Sequence, residues 1–229
     1  MRTINRHLSR IAALLLMTAL VLTSAACDRK VNDLSRFEIV TFGAYEQDGL
    51  LENGMEPLQW LVLEREGDEV LLISEKGIYA KEYYIAASKQ DVKVSWSKCS
   101  LRRWLDNTIY ATCFSKDEKD AIIPEEFIDE VTGKEVKDYV TILTVEQANT
   151  YFLSAGERRA KATEYAGSAK AYVNLFTGAS WWWLRDMGTQ DGKISYVTAG
   201  GNVNTKGHYA DYSHGVVRPV IRVKAEALK

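Results

Sequence analysis

The feature that most constrains this chain is its first thirty residues, MRTINRHLSRIAALLLMTALVLTSAACDRK. Arg2, Arg6 and Arg10 precede an uncharged apolar run of twelve residues, Ile11 to Leu22. A run of that length suits the apolar region of a signal peptide and falls short of the roughly 20 residues that a helix needs to cross a bilayer. The small residues Thr23, Ser24, Ala25 and Ala26 then lead to Cys27 and a polar stretch. Residues 1–26 are therefore set aside as a signal peptide, residues 27–36 read as a tether, and residues 37–229 as one globular body. The body is expected outside the cytoplasm.

A cysteine directly behind a small-residue cleavage site resembles a bacterial lipobox, in which the cysteine is acylated and becomes the new N-terminus. That resemblance implies lipidation of Cys27 and anchorage to the outer face of the cytoplasmic membrane. Ser24 stands where the pattern usually has Leu. Two alternatives stay open: an ordinary cleavage near Ala26 that leaves Cys27 free and the protein secreted, and an uncleaved N-terminal anchor.

Composition narrows the partners. Of the 29 basic residues, three lie in the signal, which leaves 26 against 31 acidic residues and a net charge of −5 for the mature chain. An acidic chain without a basic stripe gains nothing from counterion release, so nucleic acid is excluded as a partner. About 200 residues with 10% aromatics suffice for one good core. Cys99 and Cys113 remain after Cys27. Outside the cytoplasm they can form a disulfide, which the chain-entropy model credits with about 3 kcal/mol for a loop of this size. They can equally be two small buried apolar residues.

Periodicity predicts an α+β body. Residues 37–45 alternate, and the runs 58–66 and 69–74, joined by Gly67-Asp68, read as a β-hairpin. Residues 76–85 read as irregular. Over 95–114 the period changes to helical, with Ser97 as N-cap and a second short helix from Ile109. Ser115 caps a further helix, 123–137 is a loop or short hairpin, and Thr144 with Gln147 has the form of a capping box. Residues 155–170 are helical in parts. Strands are expected at 179–188, on both sides of Gly200-Gly201, and at 215–224, where Pro219 marks an edge, a start or a bulge.

The ordered motifs FGAY (42–45), LQWLVLE (58–64), LLIS (71–74), SWSKCSLRRWLDN (95–107), ANTYF (148–152), ATEYA (162–166), WWLR (182–185) and GVVRPVI (215–221) together resemble the domain-of-unknown-function family 6273. The Trp-rich strand and the terminal strand also resemble C-type-lectin-like domains. The resemblance implies a compact scaffold of antiparallel β-hairpins with a few short helices, and no activity. Asp186 stands where the family often has Ser, and Val217 adds a residue to its usual GVRP. Formylglycine-generating enzymes share this kind of scaffold and need a C-terminal cysteine pair. No cysteine follows Cys113, so that activity is not expected.

No zinc signature, phosphate loop or G-x-S-x-G is present, and no catalytic residue is assigned. Asn202, Asn204 and Asp211 are weak Ca²⁺ candidates by ligand type. Trp181, Trp182 and Trp183 are consecutive, so on a strand Trp182 must face away from its neighbours. Placing Trp181 and Trp183 outward, beside Tyr209, Tyr212 and His214, gives a surface suited to a glycan or peptide. The other reading left open is that helices or loops cover both faces and all three tryptophans are core. The expected function is a surface binding or interaction module. The alternative is an envelope-acting hydrolase or modifying enzyme with acid and base residues in a loop cleft. Arg185 and Arg218 read as structural, pairing carboxylates or carbonyls.

Overall fold

The computed structural model describes residues 34–85 and 94–228. The expected signal peptide, Cys27 and the tether up to residue 33 lie outside the described residues. Within them, β1 (Ile39–Tyr45), β2 (Glu56–Glu66) and β3 (Glu69–Ser74) follow in order, then β4 (Tyr79–Ala80) inside the stretch expected to be irregular. A 3-10 turn at Trp96–Lys98 leads into α1 (Ser100–Trp104), which continues as a π-helical segment, Leu105–Tyr110. After α2 (Lys116–Ala121) come β5 (Ile122–Ile123), the hairpin β6 (Glu125–Asp129) and β7 (Lys134–Asp138), then α3 (Val145–Tyr151) and α4 (Ala155–Arg158). The chain closes with β8 (Ala160–Lys161), α5 (Glu164–Ser168), β9 (Ala179–Ser180), β10 (Trp182–Met187), β11 (Lys193–Val197), β12 (Val203–Tyr209), β13 (Val216–Val217) and β14 (Val220–Lys224).

Local chemistry accounts for these boundaries. Gly67, with φ +55°, turns β2 into β3 as the Gly-Asp pair requires. The anticipated capping box forms, Thr144 with Gln147 at α3, and the anticipated Ser115 cap of α2 is a full box with Glu118 as well. The cap of α1 is displaced from the expected Ser97 to Cys99, whose Sγ accepts the Arg102 amide at 3.3 Å. Ser97 instead gives its amide to Asp129, which holds it outside the helix.

Two five-stranded sheets carry the body. The first has the order β1-β2-β3-β14-β5 and is antiparallel throughout. The second has the order β12-β11-β10-β13-β4, with one parallel pair, β10 and β13. The expected single strand 215–224 is thus two strands in two sheets. Pro219 donates no hydrogen bond, and the switch falls at Arg218-Pro219. At that joint the Arg218 side chain is buried and donates to the Ser74 carbonyl through Nε and Nη2, at 3.0 and 2.8 Å. The result is a mixed, mostly antiparallel architecture with a few short helices.

The apolar residues divide between two clusters by strand parity. Val70 and Leu72 face one cluster, Leu71 and Ile73 the other. A run buried on both faces must be apolar at every position, which is why LLI shows no alternation. Trp181 and Trp183 join the first cluster and Trp182 the second. The body also begins earlier than residue 37. Leu34 packs on the second cluster, and Arg36 pairs with Glu157 at 2.9 Å and donates to the Tyr151 carbonyl. No helix among the described residues is long and apolar enough to cross a membrane.

Candidate functional site

The strands β10, β11 and β12 build one aromatic column. Register pairs Trp183 with Tyr196 and Ile194 with His208. His208 lies flat on Trp181, with ring centroids 5.1 Å apart and planes 11° apart. Tyr212, from the loop after β12, covers His208 at 4.3 Å, and His214 meets Tyr212 edge-on at 5.0 Å. Tyr209 projects outward under the Lys193 ammonium, 4.7 Å from the ring centre. The loop is tied down from behind, since His214 Nδ1 bonds the Lys170 carbonyl at 2.7 Å and Tyr172 donates its amide to the His214 carbonyl.

This column revises the expected surface. Trp181 is 7% exposed, and Trp182 and Trp183 are fully buried. Trp181 is roofed by His208 and by the backbone of Gly215, where a Cβ would overlap the indole ring. Trp183 gives its indole N–H to the Lys81 carbonyl, and Trp182 gives its own to Arg158. Neither Trp181 nor Trp183 can therefore stand at a ligand's contact face. They back the outer rings instead. Tyr209 and Tyr212 stay 61% and 43% exposed and, with His214, make up what remains of the anticipated face.

The calcium candidates do not converge. Asn202 precedes β12 and Asp211 follows it, so a seven-residue strand of roughly 20 Å stands between them. Asn204 is engaged with the Tyr196 hydroxyl and the Gly207 amide. Of the two readings left open for Cys99 and Cys113, the structure has the second: both are buried free thiols. Burial pushes Cys99 up to about 12 and Cys113 up to about 11, so both stay protonated and neither is a nucleophile.

His208 carries the electrostatics of the column. Its Nδ1 is buried without a hydrogen-bond partner. Burial, helped by the nearby Lys193 charge, lowers its pKa below the ordinary 6.5 against the opposing pull of the Tyr209 backbone and Asp211. The neutral ring is the one that stacks. Since the unfolded chain takes up this proton before the folded one, stability should fall as pH drops below 6.5 and level off once both states are protonated. Thermal unfolding between pH 7.5 and 5 should show this slope, and His208→Phe should flatten it. A slope unchanged by the substitution would assign it to other groups.

Sequence reasoning did not anticipate a second concavity. Trp96, Phe127, Asp129, Thr144, Arg185 and Asp186 contribute to a cleft of about 380 Å³ between the β6–β7 hairpin and the start of α3. Of its charged groups, Arg185, Asp186 and Asp129 are engaged by the fold, while Glu130 is exposed. Arg185 pairs with Glu125 at 3.0 Å and lies over the Phe127 ring. Asp186 accepts the Val145 amide at the first turn of α3, a role that accounts for an acid at this position. Asp129 would be raised by burial, but the Ser97, Thr132 and Val131 amides bring it below the usual carboxylate value. These carboxylates brace loops and a helix end.

Two antiparallel-dominated sheets joined through a buried arginine, with an aromatic column at one edge, define a compact α+β scaffold carrying a surface of tyrosines. The family model described as "Domain of unknown function (DUF6273)" matches residues 67–225, and the chain belongs to that family. The motifs at 42–45 and 58–64 precede the matched segment but fold into the same first sheet. No curated protein matches this chain, and neither does any solved structure.

Proposed function

We propose that this protein is an extracytoplasmic binding module, lipid-anchored through Cys27, on a C-type-lectin-like scaffold. Its ligand is a glycan or peptide that lays an apolar face on Tyr209 and Tyr212 beside His214. The observation that carries the reading is the backed aromatic surface: exposed Tyr212 packs on His208 and the buried Trp181, and exposed Tyr209 meets the His208 ring edge-on at 6.4 Å, so that little side-chain freedom is lost when a ligand settles. Polar groups flank the rings, with Lys193 over Tyr209 and Asp211 between the two tyrosines in sequence.

The acid–base alternative lacks a comparable support. His214 bonds a backbone carbonyl, not a carboxylate, and His208 is held neutral inside an aromatic stack. The carboxylates Asp129 and Asp186 accept backbone amides.

Glycan-array and cell-wall pull-down experiments on the mature protein test the reading. Tyr209→Ala and Tyr212→Ala are each expected to weaken binding about tenfold, the scale of losing one stacked aromatic contact. Equal retention by all three proteins, or none by the wild type, would refute this surface.

A further inference from the structure

The turn between α5 and β9 carries two apolar side chains almost wholly in water, Leu175 at 96% and Phe176 at 95% exposure. It is well braced. Asn174 accepts the Phe176 and Thr177 amides on Oδ1, each at 3.0 Å, its carbonyl takes the Gly178 amide, and its own amide reaches the Ala179 carbonyl. Gly178 supplies the positive φ of +66° that closes the turn. Leucine and phenylalanine are thus held outward on a fixed support, with Tyr172 behind them at 46% exposure and Tyr212 adjoining through the His214 loop.

We infer that this tip docks into the headgroup layer of the membrane to which the chain is anchored. The inference rests on the lipid-anchored reading above but not on the glycan or peptide ligand. Three observations support a bilayer as the occupant. The seven residue steps from Cys27 to Leu34 span at most about 25 Å, so an acylated Cys27 holds the body against the bilayer surface. Leu34 and Ala171, at the chain's entry and at the base of the tip, pack on the same core cluster. The segment is also free of acidic residues from Tyr165 through Arg185, with Lys170 at the foot of the turn, which favours an anionic leaflet.

Apolar tip, tyrosine collar and lysine match the order in which a bilayer interface takes up side chains. Leucine and phenylalanine entering that layer together favour the docked orientation on the order of 100-fold. A tether makes so modest a preference effective, because docking becomes an intramolecular step.

The test uses the full chain, reconstituted into vesicles of phosphatidylethanolamine and phosphatidylglycerol. An environment-sensitive fluorophore is placed at Phe176→Cys, and a reference label at Lys134→Cys on the β6–β7 hairpin. Buried Cys99 and Cys113 do not compete for label. The label at 176 should be quenched by doxyl-lipid about fivefold more than the label at 134, and adding Leu175→Ser should reduce that difference. Chains that float with the vesicles while position 176 stays as open to aqueous iodide as position 134 would overturn the docking and leave the anchor standing. Chains that do not float would overturn both. Loss of iodide access at position 176 on the vesicles without quenching by doxyl-lipid would show a protein partner, a second copy included, and would also overturn the docking.

Discussion

Arg218→Ala is expected to destabilise the domain by about 3 kcal/mol, a large share of the roughly 5–15 kcal/mol typical of folded proteins. The side chain is 1% exposed and sits where one strand leaves the second sheet and enters the first. Its guanidinium bonds the Ser74 carbonyl twice and the Glu75 carbonyl at 3.3 Å, and it lies 5.0 Å over Trp182 and 5.5 Å over Phe152. Burial lowers its pKa to about 9, which still leaves it charged at neutral pH. Among the described residues no carboxylate hydrogen-bonds it. Two opposing effects must be weighed. Removing a buried cation relieves its desolvation. Truncation to alanine leaves carbonyls without donors, about 1–3 kcal/mol, and opens a cavity between two aromatic rings, about 2–4 kcal/mol. The second pair should dominate: Nη1 is buried without a partner, but three hydrogen bonds, two ring faces and the nearby Glu75 charge offset much of the cost of burying the cation. Arg218→Met separates the contributions: it fills the volume without donors and should cost only about 1–2 kcal/mol. Urea unfolding measures both. A change below about 0.5 kcal/mol in Arg218→Ala would mean that the joint is held by Pro219 and the strand ladders alone.

Arg218 also shows what could be read from the sequence and what could not. That it was structural followed from its place in an apolar run. That it joins two sheets did not, because the switch depends on which partners Val216-Val217 and Val220–Lys224 find, β10 and β4 on one side, β3 and β5 on the other. Local signals served well where the physics is local. The Gly67-Asp68 hairpin and the two capping boxes need only a few neighbouring residues. Strand parity likewise placed Trp182 opposite Trp181 and Trp183.

The exposure of those tryptophans was not legible, because it depends on what arrives from elsewhere. His208 and the Gly215 backbone cover one face, while Phe152 and Arg218 cover the other. A tryptophan-rich strand covered on both faces has the same sequence signature as one with a wet face. The cap at Cys99 in place of Ser97 has a comparable origin. Ser97 was the better local candidate, but a distant carboxylate, Asp129, competes for its amide. The 380 Å³ cleft was invisible for a similar reason, since its wall is a hairpin brought against β10 from more than fifty residues away.

Gly201→Ala is expected to cost about 3 kcal/mol, whereas Gly200→Ala, one residue away, should be close to neutral. Gly201 has φ +85°, which charges alanine roughly 1 kcal/mol, and a Cβ there would overlap the Ala155 carbonyl at the start of α4. That carbonyl belongs to a backbone which cannot step aside easily. Arg158 bonds the Gly201 carbonyl at 2.8 Å and Arg159 bonds that of Gly200 at 3.2 Å, so the turn is clamped to α4. Gly200 has neither constraint: a Cβ there meets Thr198 Oγ1 and Asn202 Nδ2 at an ordinary 3.6 Å. For a domain of this size the Gly201 variant should unfold about 9 °C lower, with Gly200→Ala within a degree or two of wild type. The sequence of residues 199–214, rich in Gly, Asn, Tyr and His, reads as one ligand-facing loop segment, and the pair decides how that segment is divided. If its first four residues were a free ligand-facing loop, both substitutions would leave thermal stability unchanged and either could alter binding. If they are a docked turn, Gly201→Ala lowers stability steeply, and the ligand-facing role falls to Tyr209, Tyr212 and His214 at the far end of β12.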